Sequence, residues 1–207
     1  MTLRHPAWLA SWLALIAGLS DALGWLQTGL FAAQMTGNTA LLGIALAQGH
    51  WWSAGYKATA ILCFFAGLLL ARLLHRPGQR ERAGRAVAVL LATLVIVLAA
   101  FLPKPFNVLS LSVALGAQNA VFSRFGGQSL NTSFISGDLQ KLSQAFAKWI
   151  RRDPRDDGDR VALVIVPSLW LAYVVGGALG VLCQTHLALP LLVPAAMLPV
   201  ALLLPED

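Results

Sequence analysis

Charged residues are scarce in this sequence. Of its 207 residues, 12% are charged and 57% are apolar, and the mean hydropathy is +0.70. A soluble domain carries about 25% charged residues, and a chain of this length has too little interior to hide so much apolar surface from water. The composition therefore excludes a soluble enzyme or binding module. Disorder is excluded as well, because it requires low hydrophobicity.

Cysteine and histidine are too few or too scattered to indicate a site. Cys63 and Cys183 lie inside apolar stretches and form no Cys-x-x-Cys pair. The histidines, which show no metal-ligand spacing, are His5, His50, His75 and His186. The chain also lacks a His-Glu-x-x-His, Gly-x-Ser-x-Gly, P-loop or dinucleotide-binding pattern. We therefore expect no catalytic residues, no bound metal and no cofactor.

The formal net charge of +6 does not indicate a nucleic-acid partner. Nucleic-acid binding requires basic residues spread along one face, whereas here they form short clusters between apolar runs. Such clusters are typical of the cytoplasmic loops of a membrane protein. The expected partner is the lipid bilayer.

The apolar runs predict an all-α polytopic membrane protein. A spanning helix needs about 20 apolar residues, and the runs that reach or approach this length cover residues 8–26, 54–74, 86–102, 108–122, 161–183 and 187–204. The last run contains Pro190, Pro194 and Pro199, so we expect it to be kinked or irregular. We interpret the first run as a retained helix and not a signal peptide, because it contains Asp21 and no clear cleavage site follows.

Two further segments, 34–49 and 132–150, either cross the membrane or return to their side of entry. The second is amphipathic, which does not suit a lipid-facing span. If neither crosses, six helices span, both termini are cytoplasmic, and all basic residues except Lys57, Lys104 and Lys141 lie inside. If both cross, this bias disappears. The positive-inside rule therefore favours six spans, with 34–49 and 132–150 as re-entrant or interfacial helices.

The two halves of the sequence match weakly but in the same order. Gly-Leu-Ser-Asp-Ala at 18–22 matches Gly-Ala-Gln-Asn-Ala at 116–120, and Met-Thr-Gly-Asn at 35–38 matches Ile-Ser-Gly-Asp at 135–138. Small residues also recur every four positions in 55–71 and 168–180, either as close helix contacts or by chance.

We interpret these matches as two inverted three-helix repeats within a single membrane domain, 1–207. The first repeat covers 1–80. The second part, 81–207, contains the equivalent helices 108–122, 132–150 and 161–183. Inverted repeats with interrupted helices are typical of secondary transporters.

The candidate binding residues are polar groups placed inside apolar segments. Asp21 is the leading one, because intramembrane carboxylates usually serve a function; the alternative is that it lies in the interface at a helix end. Thr36 and Ser136 each precede a helical run and so predict helix starts that attract an anionic or polar group, although plain capping explains them too. The other candidates are Gln34, Gly37, Asn38, Gln118, Asn119, Gly137 and Asp138.

These motifs also carry a resemblance to a known group. The stretch at 18–22, then Phe31 and Met-Thr-Gly-Asn-Thr at 35–39, resembles the first half of the YoaK-like family, a group of uncharacterised bacterial inner-membrane proteins classed as a domain of unknown function. The stretches at 116–120 and 136–139 resemble its second half, with Ser136 in place of the usual threonine. The resemblance implies about six spans and the bacterial inner membrane, and no substrate.

Three functions fit these features. The first is a small secondary transporter of a small polar or anionic metabolite, with Asp21 as a proton-coupling group. The second is a membrane scaffold or assembly partner that forms a homodimer through the small-residue rows. An intramembrane enzyme is the weakest of the three, because no nucleophile or metal site is present.

Overall fold

The computed structural model of the chain describes residues 4–74, 81–125, 128–129, 135–154 and 156–204. Within these residues the fold is helical apart from one short antiparallel strand pair, β1 (Arg124–Phe125) with β2 (Gln128–Ser129). The helices are α1 (Arg4–Thr28), α2 (Met35–Ala47), α3 (Trp51–Leu74), α4 (Glu81–Ala99), α5 (Phe106–Val121), α6 (Ile135–Arg151), α7 (Asp157–His186), α8 (Leu192–Met197) and a 3₁₀ helix, Leu198–Leu202. The predicted all-α class is confirmed.

Three of the described helices are long and apolar enough to cross a membrane. They are α1 from Ala7 onward, α3 and α7. Helices α4 and α5 are apolar but shorter. The predicted count of six spans therefore stays a prediction.

The C-terminal run 187–204 is interrupted, as its prolines predict. Its regular part is α8 followed directly by the 3₁₀ helix. A proline lacks the N–H that would continue an α-helical hydrogen-bond ladder, and Pro199 lies at the start of the 3₁₀ helix. These eleven residues, Leu192–Leu202, rise about 16 Å at α-helical pitch, roughly half of a bilayer core of about 30 Å.

Helices α1 and α7 form a closely packed parallel pair. Added to Gly18, a Cβ would lie 2.1 Å from the carbonyl oxygen of Tyr173, and a Cβ on Gly176 would lie 2.1 Å from that of Leu15. The side chains of Gln27 and Gln184 bond further along both helices. Because the Gln27–Gln184 bond comes after the glycine contacts along both helices, the two helices run in the same direction. Glycine permits this close approach of backbones.

Helices α3 and α5 pack in the same reciprocal way. A Cβ on Gly67 would lie 2.0 Å from the carbonyl oxygen of Val113, and a Cβ on Gly116 would lie 2.1 Å from that of Phe64. A smaller apolar cluster joins Ala60 to Val108 nearer the N-termini of both helices, so this pair is also parallel. Gly67 of the first predicted small-residue row and Gly176 of the second thus make contacts inside the chain.

The short helices α2 and α6 pack against the helix that follows each of them, α3 and α7. Helix α6 turns a stripe that includes Asp138 and Ala145 inward, where both are buried. Four of its large apolar side chains point outward and are exposed: Leu139, Phe146, Trp149 and Ile150. This polarity suits a helix at a membrane interface. The first three residues of the predicted amphipathic segment, 132–134, lie outside the described residues.

Candidate functional site

Asp21 joins three separate segments of the chain. Its carboxylate accepts hydrogen bonds from the backbone N–H of Ala33 at 2.6 Å and of Gln34 at 3.3 Å, and from the hydroxyl of Tyr173 at 2.5 Å. Only 3% of Asp21 is exposed, and it lies about two turns before α1 ends at Thr28. Asp21 is therefore buried within the protein and does not lie in the last turn of α1.

The linker 29–34 folds back along the end of α1 to reach this carboxylate. Gly29 has a φ of +68°, a left-handed conformation that favours glycine. Gly24 lets the linker lie against α1, since a Cβ there would be 2.6 Å from the carbonyl oxygen of Leu30. The backbone thus turns after α1 and returns to the level of Asp21, where α2 begins.

Asn38 holds the same linker from the other side. Its side chain is fully buried, accepts from the N–H of Phe31 at 3.0 Å and donates to the carbonyl oxygen of Phe31 at 2.7 Å. The ring of Phe31 stacks on Trp25 with centroids 5.0 Å apart. A Cβ on Gly37 would lie 2.9 Å from this ring, so glycine makes room for it. Asn38 and Gly37 therefore shape the linker.

The start of α2 differs from the sequence prediction. The helix begins at Met35 with Gln34 as N-cap, and Gln34 makes no side-chain capping bond. Thr36 was predicted as the cap, but it lies in the first turn and is exposed. Asp21 accepts the N–H groups of Ala33 and Gln34, the two residues just before the helix, and so holds the chain where α2 begins. A carboxylate of the chain therefore lies at the positive end of the α2 dipole, the place expected for an anionic ligand.

The equivalent residues of the second half are arranged differently. Helix α6 begins at Ile135, so Ser136 also lies inside the first turn, and its side chain is outside the described residues. Asp138 is buried and pairs with Lys141 at 3.2 Å. Gly137 has open space where a Cβ would be. Because α2 packs on α3 and α6 on α7, the structure does not bring the two helix starts together.

Gln118 lies between the two helix pairs. It is 2% exposed, and its Nε2 donates to the carbonyl oxygen of Leu13 on α1 at 3.4 Å. Toward the other end of α1, Asn107 of α5 donates to the side chain of Gln27 at 2.7 Å. Asn119, the sequence counterpart of Asp21, is half-buried. Side chains of α5 thus tie it to α1 at two levels.

Tyr173 and Ser20 are not among the residues predicted from the sequence. Tyr173 is one of two tyrosines in the chain and directly follows Ala172 of the small-residue row in α7. A polar-tipped side chain among small residues in a spanning run was an available signal. Ser20 directly precedes Asp21 and corresponds to Gln118 in the repeat match, but this correspondence was not used.

A second polar site lies where α6 meets the start of α7. A cavity of about 200 Å³ is lined by Lys141, Gln144, Lys148, Asp156 and Asp159, among others. Charged side chains of this cavity pair with one another, since Lys148 donates to Asp159 at 2.8 Å. Asp156 and Asp159 also form the capping box of α7. Across the described residues, no three His, Cys, Asp or Glu side chains group as metal ligands would.

Comparison with known proteins places the chain in a family. A family model described as "Protein of unknown function (DUF1275)" matches residues 9–204. The chain is 28% identical over 144 residues to the UPF0700 transmembrane protein YoaK of Bacillus subtilis (strain 168), covering 65% of this chain and 64% of that protein. It is 27% identical over 163 residues to the UPF0700 transmembrane protein RA0705 of Rhizobium meliloti (strain 1021), covering 68% and 61%.

The match thus spans less than two thirds of the length of either curated relative. No solved structure matches the chain. The relatives named as transmembrane proteins and the long apolar helices agree on a membrane protein, and the resemblance to the YoaK-like family is confirmed. Since the family model covers nearly the whole chain, this protein belongs to the DUF1275 family of uncharacterised transmembrane proteins.

Proposed function

We propose that this protein is a small secondary transporter of a polar metabolite in the bacterial cell membrane, coupled to protons through Asp21. One observation carries the proposal: a buried carboxylate inside a long apolar helix binds both a backbone linker and a second long helix. An acid in such a segment is costly, and intramembrane acids of this kind typically move ions or protons.

The helix directions support an inverted repeat. Helix α1 corresponds to α5 in the sequence match, and α3 to α7. The bonds Gln27–Asn107 and Leu13–Gln118 make α1 antiparallel to α5, whereas α1 is parallel to α7. The first helix of each half therefore pairs with the third helix of the other half, with reciprocal glycine contacts in both pairs. Inverted halves that enclose a site between them are the architecture of many secondary carriers.

The proposed membrane arrangement follows from these directions. Helices α1, α3, α4, α5 and α7 cross the bilayer, and the C-terminal segment with α8 makes the sixth passage, as a broken helix buried against α1 and α4. Helices α2 and α6 return to their sides of entry. Both termini and the basic connections then lie in the cytoplasm, as the positive-inside rule requires.

Proton coupling would act through the bonds of Asp21. As a carboxylate it has acceptor sites for all three donors, Ala33, Gln34 and Tyr173. Once protonated, one oxygen becomes a donor, so its attraction for these N–H and O–H groups falls. Protonation therefore loosens the linker from α1 and α7. Since Asp21 also neutralises the start of α2, the geometry favours a neutral or cationic polar substrate over the anionic one that the sequence suggested.

A scaffold and an enzyme receive less support. The scaffold hypothesis depended on small-residue rows as a dimer face, but Gly67, Gly176 and Gly180 pack inside the chain. The buried polar groups of the candidate site include no activated nucleophile within the described residues. We therefore propose a carrier and not an enzyme.

The test is proton flux in liposomes that contain the purified protein and a trapped pH-sensitive dye. Neutral and cationic polar metabolites, such as sugars, polyols and amines, are added one at a time to both the wild type and the Asp21→Asn variant. We expect at least one compound to move protons with the wild type and not with the variant. Asp157→Asn, which changes a fully exposed acid, is the matched control and keeps the flux. Equal flux in wild type and Asp21→Asn, or no flux with any compound, overturns the proposal.

A further inference from the structure

Two polar atoms are buried in the centre of the protein without hydrogen-bond partners. They are Oγ of Ser20 and Oε1 of Gln118, and the structure offers neither of them a partner among the residues it describes. Ser20 is 0% exposed and Gln118 is 2% exposed. A buried polar atom without a partner is unfavourable, and in native proteins it usually indicates a ligand, an ordered water or a functional role.

Both atoms belong to the interface between α1 and α5. Leu13, Ser20 and Gln27 are spaced two turns apart and therefore lie on one face of α1. The carbonyl oxygen of Leu13 accepts from Gln118, and the side chain of Gln27 accepts from Asn107. This face of α1 is therefore the one that α5 covers. Ser20 lies midway between the two bonds that tie α5 to α1.

The two residues also occupy equivalent positions in the two halves. Ser20 is two residues after Gly18, and Gln118 is two residues after Gly116. Both glycines make the same contact, with a carbonyl oxygen of the parallel partner helix. Ser20 and Gln118 are therefore related by the internal repeat and face the boundary between its halves. In carriers with inverted repeats, the substrate binds at this boundary, near the bilayer midplane.

We propose that Ser20 and Gln118 contact the transported molecule, and that this molecule presents N–H or O–H donors to them. The inference rests on the proposed carrier function and names its substrate class. Nε2 of the Gln118 amide donates to Leu13, whereas Oε1, an acceptor, has no partner at all. A serine hydroxyl both donates and accepts. The site therefore suits small amines, polyols or amides, whose N–H or O–H groups satisfy Oε1 of Gln118, whereas a carboxylate or phosphate without a donor leaves this atom unpaired.

Thiol chemistry tests this site without knowledge of the substrate. Ser20→Cys is nearly isosteric and is made in a Cys63→Ser, Cys183→Ser background. The purified protein in liposomes reacts with two small methanethiosulfonates that differ in charge, an aminoethyl reagent with N–H donors and a sulfonatoethyl reagent without them. Gln48→Cys, at the exposed turn after α2, gives the intrinsic ratio of the two rates. Ala14→Cys, equally buried on another face of α1, detects general unfolding.

We expect Ser20→Cys to react, and Ala14→Cys not to react. The preference for the aminoethyl reagent at Ser20→Cys should exceed that at Gln48→Cys by about tenfold, the factor that one hydrogen bond from a charged donor supplies. An added Gln118→Leu change should reduce this preference to the value at Gln48→Cys. No reaction at Ser20→Cys, or the same preference at both cysteines, overturns the assignment of the site.

Failure here is distinct from failure of the proposed function. If Ser20→Cys reacts as expected but Asp21→Asn keeps the proton flux, the binding site stands and proton coupling through Asp21 is wrong. If proton flux depends on Asp21 but Ser20→Cys is inert, the carrier function stands and its substrate site lies elsewhere. Should Ser20→Cys fail to fold, Gln118→Cys is tested in the same way.

Discussion

At the scale of single residues, Asp21 holds the chain immediately before α2 from a neighbouring helix. A helix cap accepts the N–H groups of the first turn, whereas Asp21 accepts those of Ala33 and Gln34 ahead of the helix and also binds Tyr173 on α7. Burial makes each of these bonds costly to lose, because water does not replace a missing partner. The stability of the linker and the packing of α1 on α7 therefore depend on the same carboxyl group.

Removal of the tyrosine hydroxyl should weaken the fold measurably. We expect Tyr173→Phe to lower the free energy of unfolding by about 1–3 kcal/mol, since Asp21 loses one buried donor. Asp21→Ala should cost more, about 3–5 kcal/mol, because it leaves two backbone N–H groups and the hydroxyl of Tyr173 without an acceptor. The measurement is unfolding of the purified protein in detergent, followed by tryptophan fluorescence.

The second tyrosine serves as the control. Tyr56 is exposed, so Tyr56→Phe should change the free energy of unfolding by less than about 0.5 kcal/mol. Equal stability of Tyr173→Phe and Tyr56→Phe would show that the bond to Asp21 contributes nothing to the fold.

At the scale of elements, four glycines determine how closely the long helices pack. In each parallel pair, one glycine of each helix lies against a carbonyl oxygen of the other. Lipid offers no hydrophobic driving force for helix association, so close backbone packing supplies much of the attraction. A methyl group at any of these positions pushes the two backbones apart.

Alanine substitutions distinguish packing glycines from the others. Gly176→Ala and Gly67→Ala should each lower the free energy of unfolding by about 1–3 kcal/mol, the usual cost of overpacking, because their Cβ atoms would lie 2.1 and 2.0 Å from carbonyl oxygens. Gly55→Ala has open space and should stabilise α3 by about 0.5–1 kcal/mol through helix propensity. If all three variants behave alike in detergent unfolding, the close packing is absent.

Salt bridges link helix α6 to the start of α7. Lys148 bonds Asp159 at 2.8 Å and lies 3.7 Å from Asp156. The hydrogen bond to Asp159, together with the negative charges of both aspartates, raises the pKa of Lys148 above its usual value of 10.5. The lysine is therefore charged more readily in the folded protein than in the unfolded chain, and the difference favours folding.

The pH dependence of this attachment follows from the direction of the pKa shift. At neutral and mildly alkaline pH, where Asp159 is ionised, its stabilisation is complete up to pH 10.5, and it is lost as the pH rises through the raised pKa of Lys148. We expect Lys148→Met to melt below the wild type at pH 8, and the two melting temperatures to converge at the highest pH. Arg160→Gln, which removes a long and exposed pair with Asp157, should match the wild type throughout. A Lys148→Met difference that grows with pH would contradict this account.

At the scale of the whole molecule, the two halves are intertwined. Each parallel pair combines helices from both halves, and α8 with the 3₁₀ helix packs against α4 and α1. A bond from Trp12 to the carbonyl oxygen of Met197 adds to this last contact. Neither half has a complete set of neighbours by itself, so we expect the chain to fold as one unit.

The proposed topology predicts which side of the membrane each turn faces. In intact cells, with Cys63 and Cys183 replaced by serine, Gln48→Cys should react with an impermeant thiol reagent and Asp157→Cys should not. Both positions are exposed, so access depends only on the side of the membrane. Lysed cells, in which both cysteines should react, provide the control. Reaction of Asp157→Cys in intact cells would show that α6 crosses the membrane, and the inverted repeat would be wrong.

The sequence by itself determined the class of the protein and the approximate place of most helices. The apolar runs 8–26, 54–74 and 161–183 lie inside α1, α3 and α7. The physical reason is that lipid leaves the backbone no partner except itself, so a long apolar run must be helical whatever its neighbours are. The prolines of 187–204 and the motifs at 18–22 and 35–39 were local signals of the same kind, and they also identified the family.

Only the tertiary structure decided which residues meet. Tyr173 and Ala33 reach Asp21 from distant parts of the chain, and no local pattern specifies such partners. The same contact holds the residues just before α2, which begins at Met35 and not after Thr36. Ser20 is a candidate ligand contact only because α5 covers the face of α1 that carries Leu13, Ser20 and Gln27. Helix docking depends on shape and on buried hydrogen bonds across many residues at once, which a single sequence does not display.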